Sequence, residues 1–169
     1  REGFEVDTED PGLNDEIADQ LEALGAREKL ANGIRWGRLF GGGALLIGAD
    51  DNRPASSPLV PERARGVSYL YELDRRMLWP LTYYAEPGHP KLGQPETFMV
   101  APASAHAGGN YSIVHETRLI LFGGATTGIR EKQVNQGWDL SVLQRPFEAL
   151  RSFNTGWKAV ELMLTDANQ

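Results

Sequence analysis

Arg38–Asp51 reads RLFGGGALLIGADD, three consecutive glycines followed by a short apolar run and two aspartates. Such a stretch either cradles a phosphate or joins two elements sharply, and the order of its neighbours decides between them. Upstream, Arg27 to Phe40 follows a helical pattern expected to carry Leu30, Ile34 and Leu39 inward, weakened by Gly33 and Gly37 unless these admit another backbone closely. Downstream, ALLIG is short enough for a buried strand. A phosphate loop needs a strand, then glycines, then a helix N-terminus whose free N–H groups face the anion. Here the order is helix, glycines, strand, so the glycines follow carbonyls and a negative dipole end. No Lys-Ser or Lys-Thr pair follows them. The stretch is therefore architecture: one glycine takes the left-handed conformation that closes the helix, and the others allow a tight reversal or a close backbone approach. Asp50, Asp51 and Asn52 lack the spaced carboxylates and distant glutamate of an EF-hand and read as a solvated turn.

Before this join, Leu13 to Leu24 places Leu13, Ile17, Leu21 and Leu24 on one helical face, with Asn14 or Asp15 as caps and Gly25 at the end. After it, Ala49 to Gly66 holds Pro54, Pro58 and Pro61 and reads as an exposed loop. The alternation Val67, Tyr69, Tyr71, Leu73 predicts a strand with one buried face. Further strands are expected at Leu78–Tyr84, Thr97–Val100 and Tyr111–Phe122, between turn-rich segments. Helices flanking a run of strands make an α+β domain.

Near the end, Asp139 or Ser141 can cap a helix in which Leu150, Phe153, Trp157, Val160 and Leu164 are spaced 3, 4, 3 and 4 apart. That seam packs either within the domain or against another subunit. Pro146 lies too far in for a first-turn proline after a cap at Ser141, which predicts a kink or a restart near it.

Composition narrows the chemistry. The 169 residues carry 17 Lys and Arg against 23 Asp and Glu, a formal charge of -6, with Arg75–Arg76 the single adjacent basic pair. Tight binding to a nucleic-acid backbone needs clustered cations, which are missing here. With no cysteine there is no disulfide framework or thiolate metal site, and a reducing compartment fits. No apolar run approaches the ~20 residues that span a bilayer, and REGFEV lacks the regions of a signal peptide. The first residue, Arg1, suggests a processed product or a segment of a longer chain.

Catalytic patterns are sparse. His89 and His106 sit in loop-like segments without a second ligand at a useful spacing. His115 and Thr117 share a face if their strand is regular, which is half of the motif with which two-histidine phosphoesterases polarise a phosphodiester. The second half is missing, so a histidine hydrogen-bonded at a strand end is the simpler reading. No nucleophile elbow is present, and no catalytic residue, cofactor or metal ligand is assigned.

Taken together, RWGRLFGGGALLIGADD, LYELDRRMLWP, GQPETFMV, IVHETRLILFGG and NQGWDLSVLQRPFEAL resemble the portal proteins of tailed bacteriophages. More narrowly they resemble the branch that shares its name with an anti-CBASS protein. The resemblance implies that residues 1–169 form a single wing-like α+β segment of a longer subunit, flanked by N-terminal helices and ending in a long helix. It implies a homo-oligomeric ring, typically a dodecamer, at one capsid vertex of the virion, assembled in the host cytoplasm. The implied partners are the major capsid protein, terminase, the head–tail connector and double-stranded DNA that slides through without sequence-specific binding, and no membrane. The subunit contacts are expected at Leu150, Phe153, Trp157, Val160 and Leu164 and at the proline-rich loop. The alternative is a phosphoesterase acting on nucleotides through His115 and Thr117.

Overall fold

The structure is a computed structural model and describes residues 11–101 and 111–167. Helices α1 (Pro11–Ala23) and α2 (Ala26–Phe40) open the chain and are followed by β1 (Gly42–Ala49). Pro11, at the first helical position, starts α1 without losing a hydrogen bond, so Asn14 and Asp15 lie inside the helix instead of capping it. Gly25, at φ 62°, separates the two helices as expected.

Five further strands follow: β2 (Val67–Asp74), β3 (Leu78–Tyr83), β4 (Pro95–Val100), β5 (Ser112–His115) and β6 (Leu119–Gly123). They form two antiparallel three-stranded sheets, ordered β2-β1-β6 and β3-β4-β5. Helix α2 packs on one face of the first sheet, and the second sheet packs on the other. Between the sheets lies the core of Ala44, Leu73, Leu78, Phe98, Val100, Val114, Leu119 and Trp138. The fold is α+β, with N-terminal helices, small antiparallel sheets and a C-terminal helix.

Two corners carry the chain from one sheet to the other. At Arg75–Met77 a 3₁₀ turn follows β2, and Asp74 Oδ1 accepts hydrogen bonds from the Arg76 and Met77 amides at 2.6 and 3.2 Å. At Glu116–Arg118 a second such turn follows β5, and His115 Nδ1 accepts from the Thr117 amide at 3.2 Å. Tyr111–Phe122 is thus not one strand but two, in different sheets. Switching sheets lets each strand feed both layers of one core.

The alternation in β2 also reads differently in space. Only Leu73 is buried, whereas Val67, Tyr69 and Tyr71 are exposed, because the second sheet covers only the Leu73 end of that face. The opposite face of β2 lies under α2, where the Asn32 side chain donates to Glu72 Oε1 at 3.1 Å. Beyond β6 come α3 (Ile129–Val134), which no sequence pattern announced, and α4 (Gln144–Ala167). Because α4 starts at Gln144, Pro146 falls in its first turn, where a missing N–H costs no intrahelical bond. The restart expected near Pro146 is the start of the helix itself.

Candidate functional site

The glycine stretch that opened the reading is the wall of a joint. Gly41 closes α2 with φ 81°, the left-handed conformation that a side chain disfavours. Gly42 presses on the face of the Trp138 indole, leaving no room for a Cβ. A Cβ on Gly37 would stand 2.7 Å from the Gly123 carbonyl oxygen, and one on Gly124 would collide with the Leu140 carbonyl. RLFGGG, LFGG and GWDL, far apart in sequence, therefore meet at one place.

What the joint grips is the segment leading into α4. Ala125 and Leu140 exchange backbone hydrogen bonds of 2.8 and 3.3 Å, and the Val142 amide donates to the Arg38 carbonyl at 3.0 Å. Ser141 Oγ donates to the same carbonyl at 3.4 Å and accepts from the Leu143 amide at 3.1 Å, so Ser141 ties the start of α4 to the end of α2. Arg75 spans the joint, donating to the Phe40 carbonyl at 3.2 Å and to Asn135 Oδ1 at 2.8 Å. Two of the carbonyls left open at the end of α2, those of Arg38 and Phe40, are satisfied in this way. Asp139 pairs with Lys132 at 3.0 Å, and its carbonyl accepts from the Asn135 amide side chain at 3.2 Å.

From this base α4 runs without cover. Leu150, Phe153, Trp157, Val160 and Leu164 are 66, 69, 64, 49 and 61% exposed, and Phe153 stacks only on Trp157 of its own helix. Among the described residues nothing packs on the seam. An apolar stripe this long usually meets a partner.

The other sequence-derived residues fall in a second cluster. His115 and Thr117 do come together, with Nδ1 and Oγ1 2.9 Å apart, but His115 is only 5% exposed. Thr117 Oγ1 accepts from the Leu59 amide at 2.8 Å, and the His115 amide donates to the Ala55 carbonyl at 2.9 Å. Both residues thus hold the proline-rich loop down on the β5–β6 corner. Burial depresses the His115 pKa, the nearby Glu116 and Glu96 charges opposing it in part. His89 stacks on Tyr84, at 4.2 Å between ring centroids, and its Nδ1 accepts from the Lys91 amide. Lys91 and Tyr84 meet on Glu116 Oε1, at 2.6 and 3.2 Å. Burial raises the Tyr84 pKa, reinforced by the Glu116 charge. His106 lies outside the described residues.

Asp51 corrects the expectation of a solvated turn. Its carboxylate is buried and paired with Arg118 at 2.7 Å, while the Arg53 and Val60 amides donate to it at 3.2 and 3.5 Å. Arg118 Nε also donates to the Ser57 carbonyl at 3.0 Å. Burial works to raise the Asp51 pKa, but the Arg118 hydrogen bond, the two amides and the Arg118 charge outweigh it and hold the pKa low. Sequence reasoning missed this pair because its members stand 67 residues apart.

The family model described as phage portal protein matches residues 1–169. The chain belongs to the phage portal protein family. A curated relative of this portal chain, the anti-CBASS protein Acb1 of Caulobacter sp. (strain RHG1), is 26% identical over 154 residues. The match covers 90% of the portal chain and 24% of that relative, so the chain spans about a quarter of the relative's length. Family membership makes the chain a bacteriophage protein and a component of the virion capsid. Among the described residues no helix is long and apolar enough to cross a membrane, and no group of three His, Cys, Asp or Glu is placed to hold a metal.

Proposed function

We propose that the portal chain is a non-enzymatic, wing-like unit of a longer subunit, assembling into a ring of about twelve copies at one capsid vertex. The ring forms the channel through which double-stranded DNA passes during packaging and ejection, and it meets the major capsid protein, terminase and the head–tail connector. The observation that carries this reading is α4, whose seam of Leu150, Phe153, Trp157, Val160 and Leu164 leaves the joint uncovered. Covering it by neighbouring copies explains why so apolar a stripe is tolerated. The acidic balance fits a channel wall that a polyanion must slide past.

Light scattering and negative-stain imaging of the full-length subunit test it. Rings with a central hole are expected, and they should be lost in Phe153→Glu and Trp157→Glu while the circular dichroism of the subunit is unchanged. A monodisperse monomer or dimer at high concentration would overturn the ring. The contact between His115 and Thr117, together with the anti-CBASS relative, favours one alternative, a phosphoesterase acting on cyclic nucleotides. Turnover by the wild type that disappears in His115→Ala, with the fold intact, would establish it instead.

A further inference from the structure

In a ring a rotation relates neighbours, so each lateral contact joins one surface of a copy to a different surface of the next. With 3.6 residues per turn, the side of α4 opposite its seam carries Glu148, Arg151, Ser152, Thr155 and Asp166, with Leu162 the one large apolar side chain there. Were the seam to pack laterally on the neighbouring α4, it would meet this polar side and take its charged side chains out of water. The seam therefore needs an apolar surface elsewhere on the neighbouring copy.

The outer side of the β3-β4-β5 sheet is such a surface. Trp79 pairs with Met99, and Met99 with Ile113, so the three side chains form a row straight across the sheet. Side chains alternate along a strand, and this row points away from the core that Phe98 and Val114 enter. Trp79 and Met99 are half-buried, Ile113 is exposed, and Leu81 at the neighbouring irregularity is 47% exposed. The row itself carries no charge.

Size agrees as well. Three strands at ~4.8 Å spacing make a shelf about 10–15 Å wide, which accepts one helix of ~10 Å diameter. From their exposures, the five seam side chains offer on the order of 600 Å², taking ~150–250 Å² for a whole aromatic side chain. A stable interface uses about 800 Å² per partner, so the seam supplies most of one.

We propose that the α4 seam of one copy docks across the Trp79–Met99–Ile113 row of the next copy, an inference that rests on the ring reading. The docked helix adds an outer layer to the second sheet and leaves Glu148, Arg151 and Thr155 in water. Each copy gives a helix to one neighbour and receives one from the other, a heterologous contact that propagates until the ring closes.

These 169 residues contain no cysteine, which permits a direct test. Full-length subunits carrying Phe153→Cys are co-assembled with subunits carrying Ile113→Cys, and a second pair combines Val160→Cys with Leu81→Cys. Mild oxidation of the mixed rings is expected to give a cross-linked dimer in at least one pair, with no dimer from Phe153→Cys or Val160→Cys rings alone. A dimer from the α4 variants by themselves would place helix against helix and overturn the docking, as would intact rings in which neither pair cross-links. Failure to form rings at all would instead remove the assembly reading on which the docking stands.

Discussion

His115 and Asp51 show how two residues with conspicuous chemistry are used to hold a corner. The neutral imidazole accepts from the Thr117 amide through Nδ1, and the ionised Asp51 accepts from Arg118. Both pKa values lie below their ordinary positions in the fold, so between the folded and unfolded values the unfolded chain binds more protons. The His115 contribution is whole above pH ~6.5 and is lost as pH falls towards its folded value. The Asp51 contribution is whole above pH ~4 and fades below it. A melting-temperature profile should therefore decline first below pH ~6.5 and again below ~4, and His115→Gln should flatten the first decline only. Trp138 offers a second test at this scale. It is 6% exposed, and its indole N–H has no hydrogen-bond partner, so Trp138→Phe should cost less than ~1.5 kcal/mol in urea unfolding, against about 3–5 for Trp138→Ala. Gly42→Ala should cost about 1–3 kcal/mol by forcing a methyl into the same ring.

The elements differ in how far the sequence foretold them. Helix α2, its glycine closure and β1 were legible as elements because local pattern and turn chemistry agree there, and Gly41 supplies the left-handed residue. The inward face of α2 was misread, since Ile34 and Leu39 are 52 and 45% exposed and the helix buries Ala26, Gly33 and Gly37 instead. The break between β5 and β6 was hidden, since the strand formers Ile113, Val114 and Leu119–Phe122 lie close enough on either side of it to read as one run. Its only local signal is the HET sequence, in which a side-chain acceptor precedes an amide two residues on. The same device stands at Asp74, where it was equally unread. Asp74→Ala should destabilise that corner by about 1 kcal/mol, the worth of a lost cap, measurable as a shifted urea midpoint with unchanged slope. The contact surface on α4 was visible as a 3-4 spacing. That none of the described residues covers it is a tertiary fact, dependent on where the joint aims the helix.

At the scale of the molecule, charge and layering set what the chain can touch. With a net charge of -6 and its cations dispersed, the chain should show no fluorescence-anisotropy change with duplex DNA at ~0.1 M salt, in contrast to a basic-patch protein. With α2, first sheet and second sheet stacked in that order, the outer side of the second sheet keeps Ile113 and Leu81 exposed. This openness was not legible in the sequence, because Trp79, Met99 and Ile113 lie on separate strands that become neighbours only through pairing.

The joint also orders events in time. Its parts come from residues 37–42, 123–125 and 138–142, so the base of α4 can be gripped only after chain segments about a hundred residues apart have met. Contacts of such separation form late, since loop closure must precede any gain from them. An incompletely folded subunit would then hold its helix at no fixed angle, and a ring requires every angle to be equal. In the proposed ring, copies in which Gly37, Gly42 and Gly124 have not yet closed the joint are therefore expected to assemble poorly.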